Sequence, residues 1–258
     1  MKTLRPIRPN KGIERDYKRR LDKLVLEMNK SVTYWIKAGY KREVVPTLAM
    51  DAKSPSVQMS RILKKRIKQW TIKFDAMADT IATWFADTEQ KYTDTALKKA
   101  FKDAGFTISL KMTPPIKTAM QAVVYENVNL IKSIPRKYLE EVEGLVMRSI
   151  LDGRNLADLT DELDKRYDIT RRRALLIARD QNNKATDSFN RLRSEELGIK
   201  KAVWCHSHGD KEPRQSHLRA DGKVFDLKKG CYIDGEYIHC GEKINCSCYY
   251  RPIVEGFE

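Results

Sequence analysis

Apolar residues recur at three- and four-residue steps over most of the chain, and this pattern predicts long amphipathic helices. Residues 13–41 predict a first helix with a basic outer face. Ser54 and Pro55 are an N-cap followed by proline at the first helical position, and the apolar pattern continues to about residue 105. The second stretch is typical of one very long helix or of two helices broken near residues 87–88.

The pattern predicts further helices after residue 112. Two are predicted over residues 113–133 and 135–153, each opened by proline. Asn155 caps a short helix, and Asp168 or Thr170 caps a long last helix over residues 171–196. Gly198 follows at the C-cap position, where a left-handed backbone conformation favours glycine.

The pattern of apolar and polar residues changes after residue 198. Residues 201–205 and 223–227 read as short strands separated by glycine turns, and residues 106–112 read as a strand or a linker. We therefore expect an α+β protein in which a mostly helical N-terminal region with long helices precedes a small mixed α/β, Cys/His-rich C-terminal module. The predicted divisions are a basic flexible arm over residues 1–12, a helical region over 13–153 and the module over 154–258.

The net charge of the chain indicates which class of partner it attracts. The chain has 258 residues and a formal net charge of +15, which attracts polyanions such as nucleic acid. No run approaches the roughly 18 apolar residues that a membrane span requires, so an integral membrane protein is not expected. No apolar stretch follows the basic N-terminus, so a secretory signal is not expected either.

The side chains best suited to metal binding or catalysis lie in one stretch, from Trp204 to Pro252, which we call the Cys/His segment. All five cysteines and all four histidines lie inside it. Thiolate and imidazole are the ligands that zinc prefers, so a structural zinc ion is one interpretation. Reduced, buried thiols and a disulfide are the alternatives. The candidate zinc ligands are Cys231, Cys240, Cys246 and Cys248, with His217 or His239 as substitutes.

A second constellation in this segment permits two interpretations. His217 with a nearby carboxylate, Arg214 and Asn245 is chemically plausible for a metal-dependent nuclease. The same spacing suits a structural network, in which Arg214 pairs with Asp210 or Asp221 and His217 bonds a backbone carbonyl across the turn at residues 221–222. We favour the structural interpretation, because a lone histidine and a lone arginine more often serve it.

Two basic clusters on predicted helices are candidates for non-specific DNA contact. The solvated face of a helix is the favoured explanation of such clusters, so the DNA interpretation needs a test. The candidate residues are Lys64, Lys65, Arg66, Lys68, Arg171, Arg172 and Arg173.

Several short motifs occur in an order that resembles the phage head-morphogenesis family, the Mu F-like minor head proteins. A helix that reads R-R-R-A-L-L-I-A-R-D-Q-N-N-K-A is followed by L-G-I-K-K-A-V-W, then P-R-Q-S-H, D-G-K-V-F and E-K-I-N-C-S-C-Y-Y-R-P. The resemblance covers about the last third of the chain. The family often has R-T-E where this chain has Arg179-Asp180-Gln181, and Asp180 is the candidate to replace that acid.

The resemblance implies a function. Members are minor capsid proteins that sit inside the phage head near the portal and assist procapsid assembly. It implies portal protein, major capsid or scaffold protein and double-stranded DNA as partners, and no membrane. The expected location is the virion interior, with the host cytoplasm during assembly. It also implies no enzymatic activity; a nuclease or toxin-like enzyme that uses the His217 region, or a free-standing nucleic-acid-binding module, is the alternative.

Overall fold

The computed structural model describes residues 2–43, 54–153, 156–209 and 212–254. The predicted α+β class is confirmed, because long helices precede a small region of short strands. In chain order the described elements are β1 (Lys2–Thr3), α1 (Lys11–Glu43), α2 (Pro55–Asp103), α3 (Pro114–Leu151), α4 (Leu156–Glu196), β2 (Lys201–Cys205), α5 (Gln215–Arg219), β3 (Val224–Asp226), β4 (Cys231–Ile233), β5 (Glu236–Ile238) and β6 (Tyr249–Val254).

The second helix is one continuous element. Ser54 begins it as predicted, since its carbonyl accepts the amide of Val57 at 2.9 Å. Near the position of the alternative break, Thr88 Oγ1 donates to the carbonyl of Trp84 at 2.6 Å. A threonine that bonds back into its own helix in this way does not end the helix. Residues 106–112 lie outside any strand, in the linker before α3.

Two predicted helix boundaries are wrong. Pro135 lies inside α3 and does not open a new helix. Its neighbours Ile131, Ile134 and Tyr138 are all buried, and this packing outweighs the backbone hydrogen bond that proline removes. The predicted start at Asp168 or Thr170 is also absent, because α4 continues through it. The predicted cap Asn155 lies outside the described residues.

The predicted end of α4 is confirmed in detail. Gly198 has a φ of 77°, and its amide bonds the carbonyl of Glu195 at 2.9 Å. The amide of Ile199 reaches back to the carbonyl of Ser194 at 2.9 Å. These two bonds are the glycine-ended arrangement that satisfies the last carbonyls of a helix. The chain then enters β2 directly.

The chain divides into two compact units. The first, which we call the helical unit, comprises Tyr17–Ile81 and Glu126–Ile177. Its interior is apolar and crossed by tyrosine hydrogen bonds: Tyr17 donates to Asn127 Oδ1 at 2.7 Å, and Tyr138 donates to Asn29 Oδ1 at 2.6 Å. A buried phenol needs such a partner to offset its lost hydration.

The second unit, which we call the mixed unit, comprises Met1–Asp16, Ala82–Tyr125 and Ala178–Glu258. It contains an antiparallel sheet in the order β1-β6-β2-β3 and a separate hairpin of β4 and β5. In the register of β2 with β6, Trp204 lies opposite Tyr250. Both side chains are buried in one apolar core with Leu97 and Phe101 of α2.

The N-terminal segment differs from the predicted flexible arm. Lys2 and Thr3 pair with β6, and the amide of Leu4 donates to the carbonyl of Pro252 at 2.9 Å. Leu4 and Ile7 are buried in the core of the mixed unit. A strand of two residues is too short to show alternating polar and apolar side chains in the sequence. It forms because the open edge of β6 supplies a partner strand. The predicted divisions near residues 12 and 153 stay predictions.

No described helix has the combination of length and apolar character that would let it cross a bilayer.

Candidate metal centre

Three side chains of the Cys/His segment meet in the mixed unit. His217 lies on α5, and Cys246 and Cys248 lie in the loop before β6. The Nδ1 atom of His217 is 3.5 Å from Cys246 Sγ and 3.6 Å from Cys248 Sγ. The three donor atoms lie within 4.8 Å of one another, and all three residues are buried. Among the described residues, no other group of three His, Cys, Asp or Glu side chains meets in this way.

Helix α4 holds the loop that carries the thiols. Asp180 Oδ1 accepts the amide of Asn245 at 3.1 Å, and Arg179 Nη2 donates to Asn245 Oδ1. One turn later, Asn183 Nδ2 donates to the carbonyl of Cys246 at 2.9 Å. Asn245 has a φ of 61°, a left-handed conformation that asparagine tolerates better than most residues. The helix therefore fixes the backbone on which Cys246 is presented.

The histidine is positioned by a ring contact in the sheet core and by a bond from the residue before α5. The rings of Trp204 and His217 pack edge to face at a centroid distance of 5.6 Å, and Trp204 is fully buried. Arg214, which precedes α5, donates from Nη2 to the carbonyl of Ile244 at 2.9 Å. The sheet core and the thiol loop thus both constrain α5.

The two thiols interact electrostatically. The hydrogen bond from Cys248 lowers the pKa of Cys246, although burial opposes the shift. The same contact, together with burial, raises the pKa of Cys248. The pair is therefore prone to hold one thiolate, which is the form of cysteine that binds metal.

This donor set fits a metal ion. One imidazole and two thiolates are ligands of the type that zinc takes, and separations below 4.8 Å let them converge on one centre. The cluster can hold a metal, since Cys246 and Cys248 are not joined to other cysteines.

The four-cysteine set predicted from the sequence does not come together. Cys231 lies on β4 opposite Ile238, and Cys240 is buried in the core of the mixed unit. Burial raises the pKa of both thiols, so they remain neutral and pack as small apolar side chains. His239 is half-buried, and burial lowers its pKa. The strand ladder, which spacing alone does not reveal, turns Cys231 into the core.

The predicted pairing of Arg214 with Asp221 is absent. Arg214 bonds the carbonyl of Ile244, as described above. Asp221 accepts the amide of His206 at 2.9 Å and lies 3.3 Å from His208 Nε2. The backbone bond from His206 and the neighbouring His208 lower the pKa of Asp221. The other predicted partner, Asp210, lies outside the described residues.

The predicted backbone partner of His217 is replaced by the two thiols. Asn245, the other member of the predicted network, bonds α4 instead of the histidine. A polar network does surround the site, but its members serve the thiol loop. Asp180, suspected only as a substitute acid, and Asn183 are the residues that the sequence reading undervalued. Their signal was a run of short polar side chains on an otherwise amphipathic helix.

The basic residues predicted to contact DNA differ in exposure. Arg66 is buried, with its guanidinium 4.5 Å from the ring centroid of Trp35, so it does not belong to an exposed contact set. Arg173 Nη2 donates to Ser133 Oγ at 2.7 Å, and burial lowers its pKa. The remaining members of the two clusters are exposed: Lys64, Lys65, Lys68, Arg171 and Arg172.

Comparison with known proteins confirms the family resemblance over the C-terminal part of the chain. Residues 140–251 match the family model of phage Mu protein F-like proteins. The chain is also similar to an uncharacterised protein of Haemophilus influenzae, with 28% identity over 259 residues. That alignment covers 98% of this chain but 56% of the relative, so the chain spans little more than half the relative's length. No solved structure matches the chain.

Proposed function

We propose that this chain is a head-morphogenesis protein of a tailed phage. In this proposal it is a minor capsid protein inside the head near the portal, and it assists procapsid assembly and the packaging or ejection of DNA. Its partners are the portal protein, the major capsid or scaffold protein, and double-stranded DNA. It is made in the host cytoplasm and ends in the virion.

The match of residues 140–251 to the phage Mu protein F-like family carries this proposal. The charge of +15 supports it, because a protein beside packed DNA meets a high density of phosphates. Polar side chains near the centre bond the thiol loop, as Asn183 does at Cys246, and so serve the structure.

The test uses the phage or prophage that encodes the chain. Purified, DNA-filled heads should contain the protein, protected from added protease until the heads are opened. Removing the gene should lower the yield of DNA-filled heads. Two results together would overturn the proposal. Wild-type heads would lack the protein, and heads made without the gene would form and fill normally.

The proposed DNA contact is non-specific and electrostatic. Lys64, Lys65 and Lys68 are exposed on α2, and exposed lysines bind phosphates with release of counterions. A variant with all three changed to glutamine should flatten the salt dependence of DNA affinity, by a slope of roughly 0.9 for each phosphate that is no longer neutralised.

Its matched control removes the same charge from the same helix. Lys98, Lys99 and Lys102 are also exposed on α2, and their change to glutamine should leave the slope near the wild-type value. Equal slopes for the two triple variants would show that the 64–68 cluster is only a solvated face.

We also propose that the centre holds a structural zinc ion through His217, Cys246 and Cys248. Buried donors that are already gathered need little reordering on binding, so the ion would link α5 to the thiol loop. Elemental analysis of the purified protein should find near one zinc per chain. The two thiols should resist titration until a chelator is added.

Variants separate this donor set from the four-cysteine set. Cys246→Ser and His217→Ala should lose the zinc, whereas Cys231→Ser should retain it, although Cys231 is equally buried. Loss of zinc in Cys231→Ser would instead support the four-cysteine ligand set that was predicted from the sequence. Zinc-dependent cleavage of DNA would favour the nuclease alternative.

A further inference from the structure

The centre offers three protein donors among the described residues, whereas zinc prefers four ligands. His217, Cys246 and Cys248 all form part of the wall of a cleft of about 700 Å³. A fourth coordination position on this side of the ion would therefore open into the cleft. Sites with three protein ligands and an open position take water or an exogenous ligand there.

The charge of the cleft indicates which kind of exogenous ligand would occupy the fourth position. Among the described residues, Arg179 and Arg214 line the cleft, against one carboxylate, Glu212. Arg179 uses Nη2 for Asn245, but its buried Nε has no hydrogen-bond partner. Because that Nε has almost no accessible surface, a ligand in the cleft would be held by the remaining donors of the Arg179 guanidinium. Arg214 is exposed, and its bond to Ile244 uses one of its five donors.

A second cleft of about 370 Å³ adjoins the first, since both are lined by Arg179, Gly209 and Ser247. It adds Arg8 and Lys11 to the lining. The adjoining clefts therefore form a basic groove that leads to the centre. Ser207 lines the second cleft, and its hydroxyl is buried without a partner.

We propose that the groove binds a phosphate group, with one oxygen on the fourth position of the zinc ion and others on Arg179 and Arg214. This inference rests on the proposed zinc ion. Guanidinium groups match the geometry of phosphate oxygens, and a bound divalent cation adds charge at the same point. The phosphate comes either from the free ion or from the backbone of a nucleic acid strand that continues along Arg8 and Lys11.

The test replaces zinc with cobalt(II), whose visible spectrum and paramagnetism report its ligands. Inorganic phosphate should change the absorption of the cobalt protein and should show broadened ³¹P resonances. Metal uptake is measured before phosphate is added, so a failure of the metal proposal is seen separately. Cobalt that binds with no response to phosphate would overturn this inference alone.

Variants locate the site. Arg179→Gln and Arg214→Gln should each weaken phosphate binding by roughly tenfold, the usual size of a lost charge-assisted bond. Arg219→Gln, an equal charge change at an exposed residue of α5, should leave it unchanged. Arg179→Lys and Arg214→Lys keep the charge and should recover part of the affinity. An unchanged cobalt spectrum before phosphate addition shows that the loop is intact in each variant.

The source of the phosphate is then read by competition. A short oligodeoxynucleotide that abolishes the ³¹P broadening identifies a backbone phosphate as the ligand, and Arg8→Gln should weaken that competition. An oligonucleotide that leaves the broadening intact identifies the free ion. Equal phosphate binding by metal-free and cobalt-loaded protein would contradict the coordination of phosphate to the metal.

Discussion

Different interactions stabilise the helical unit and the mixed unit. In the helical unit, long helices bury continuous apolar faces, and residues such as Leu21, Val25 and Phe74 are fully buried. In the mixed unit the strands of the Cys/His segment are only three to six residues long. Short strands pair few backbone groups and bury little apolar area, so the segment depends more on other contacts.

Buried polar side chains show the same difference. In the mixed unit they crowd α2 and α4, and Thr186 Oγ1, for example, donates to Glu89 Oε2 at 3.1 Å. Arg193 is 1% exposed and bonds Asp94 at 2.8 Å through two nitrogens. Such networks fix one arrangement but become costly when a partner is removed. We therefore expect the mixed unit to be the more sensitive to metal, pH and single polar changes.

Metal removal should give the largest contrast between the units. Chelation of the zinc-loaded protein should lower the local stability of the mixed unit by about 5 kcal/mol or more, since the binding energy of a structural zinc is folding energy. Amide hydrogen exchange in β2 and β6 should speed up, while exchange over residues 21–36 of α1 stays the same. Uniform protection before and after chelation would remove the contrast.

A cavity in the helical unit should have the next largest effect. Phe74→Ala removes a fully buried ring and should cost about 4 kcal/mol in the free energy of unfolding. Ile72→Ala is the control, because Ile72 is 58% exposed on the same helix and should cost little. Denaturant titration gives both values. Similar losses from the two variants would contradict the packing described for this unit.

A pH titration should reveal two acids of the mixed unit, Glu89 and Asp187, whose pKa values burial raises. Burial raises the pKa of Glu89 to about 8, from an ordinary value near 4.5. The folded state therefore holds a proton that the unfolded state releases, and stability should fall as pH rises from about 5 to about 8. The expected loss from Glu89 is about 3 kcal/mol.

Glu89→Gln keeps the shape of the side chain and cannot ionise. Its unfolding free energy should lose the part of this pH dependence that Glu89 contributes, about 3 kcal/mol. The part contributed by Asp187, whose pKa burial also raises to about 8, should remain. Glu14→Gln serves as a control, because Glu14 bonds the exposed Lys11 at the surface. A wild-type profile that is flat between pH 5 and 8 would contradict the burial of Glu89.

Glycine substitutions should give the smallest effect and report on the contact of the thiol loop with α4. Gly241 has a φ of 73°, and a Cβ there would lie 2.9 Å from the carbonyl oxygen of Asn183. Gly235 has a φ of 86° with open space around it. Both alanine variants bear backbone strain, so Gly241→Ala should be less stable than Gly235→Ala by about 1 kcal/mol. Thermal unfolding should show equal stability if the close approach is absent.

Local sequence patterns predict the structure correctly where one local signal decides it. Helical spacing of apolar residues predicted α1 and the helical extent of α2, although it left open one helix or two, and Gly198 marked the end of α4. Local patterns failed at Pro135 and at Thr170, where a proline and a polar residue imitate helix boundaries. Buried neighbours such as Ile131 and Ile134 keep α3 continuous, and their packing energy is not visible in a local pattern.

The sequence by itself determined the α+β class, the basic character and the confinement of cysteine and histidine to the Cys/His segment. These follow from composition and from periodicities that each element carries within itself. Only the tertiary structure decided which donors meet. His217 and the two thiols are separated by 29 and 31 residues and come together because α4 and the sheet core hold α5 and the loop. The two-residue strand β1 likewise exists only because β6 offers it an edge.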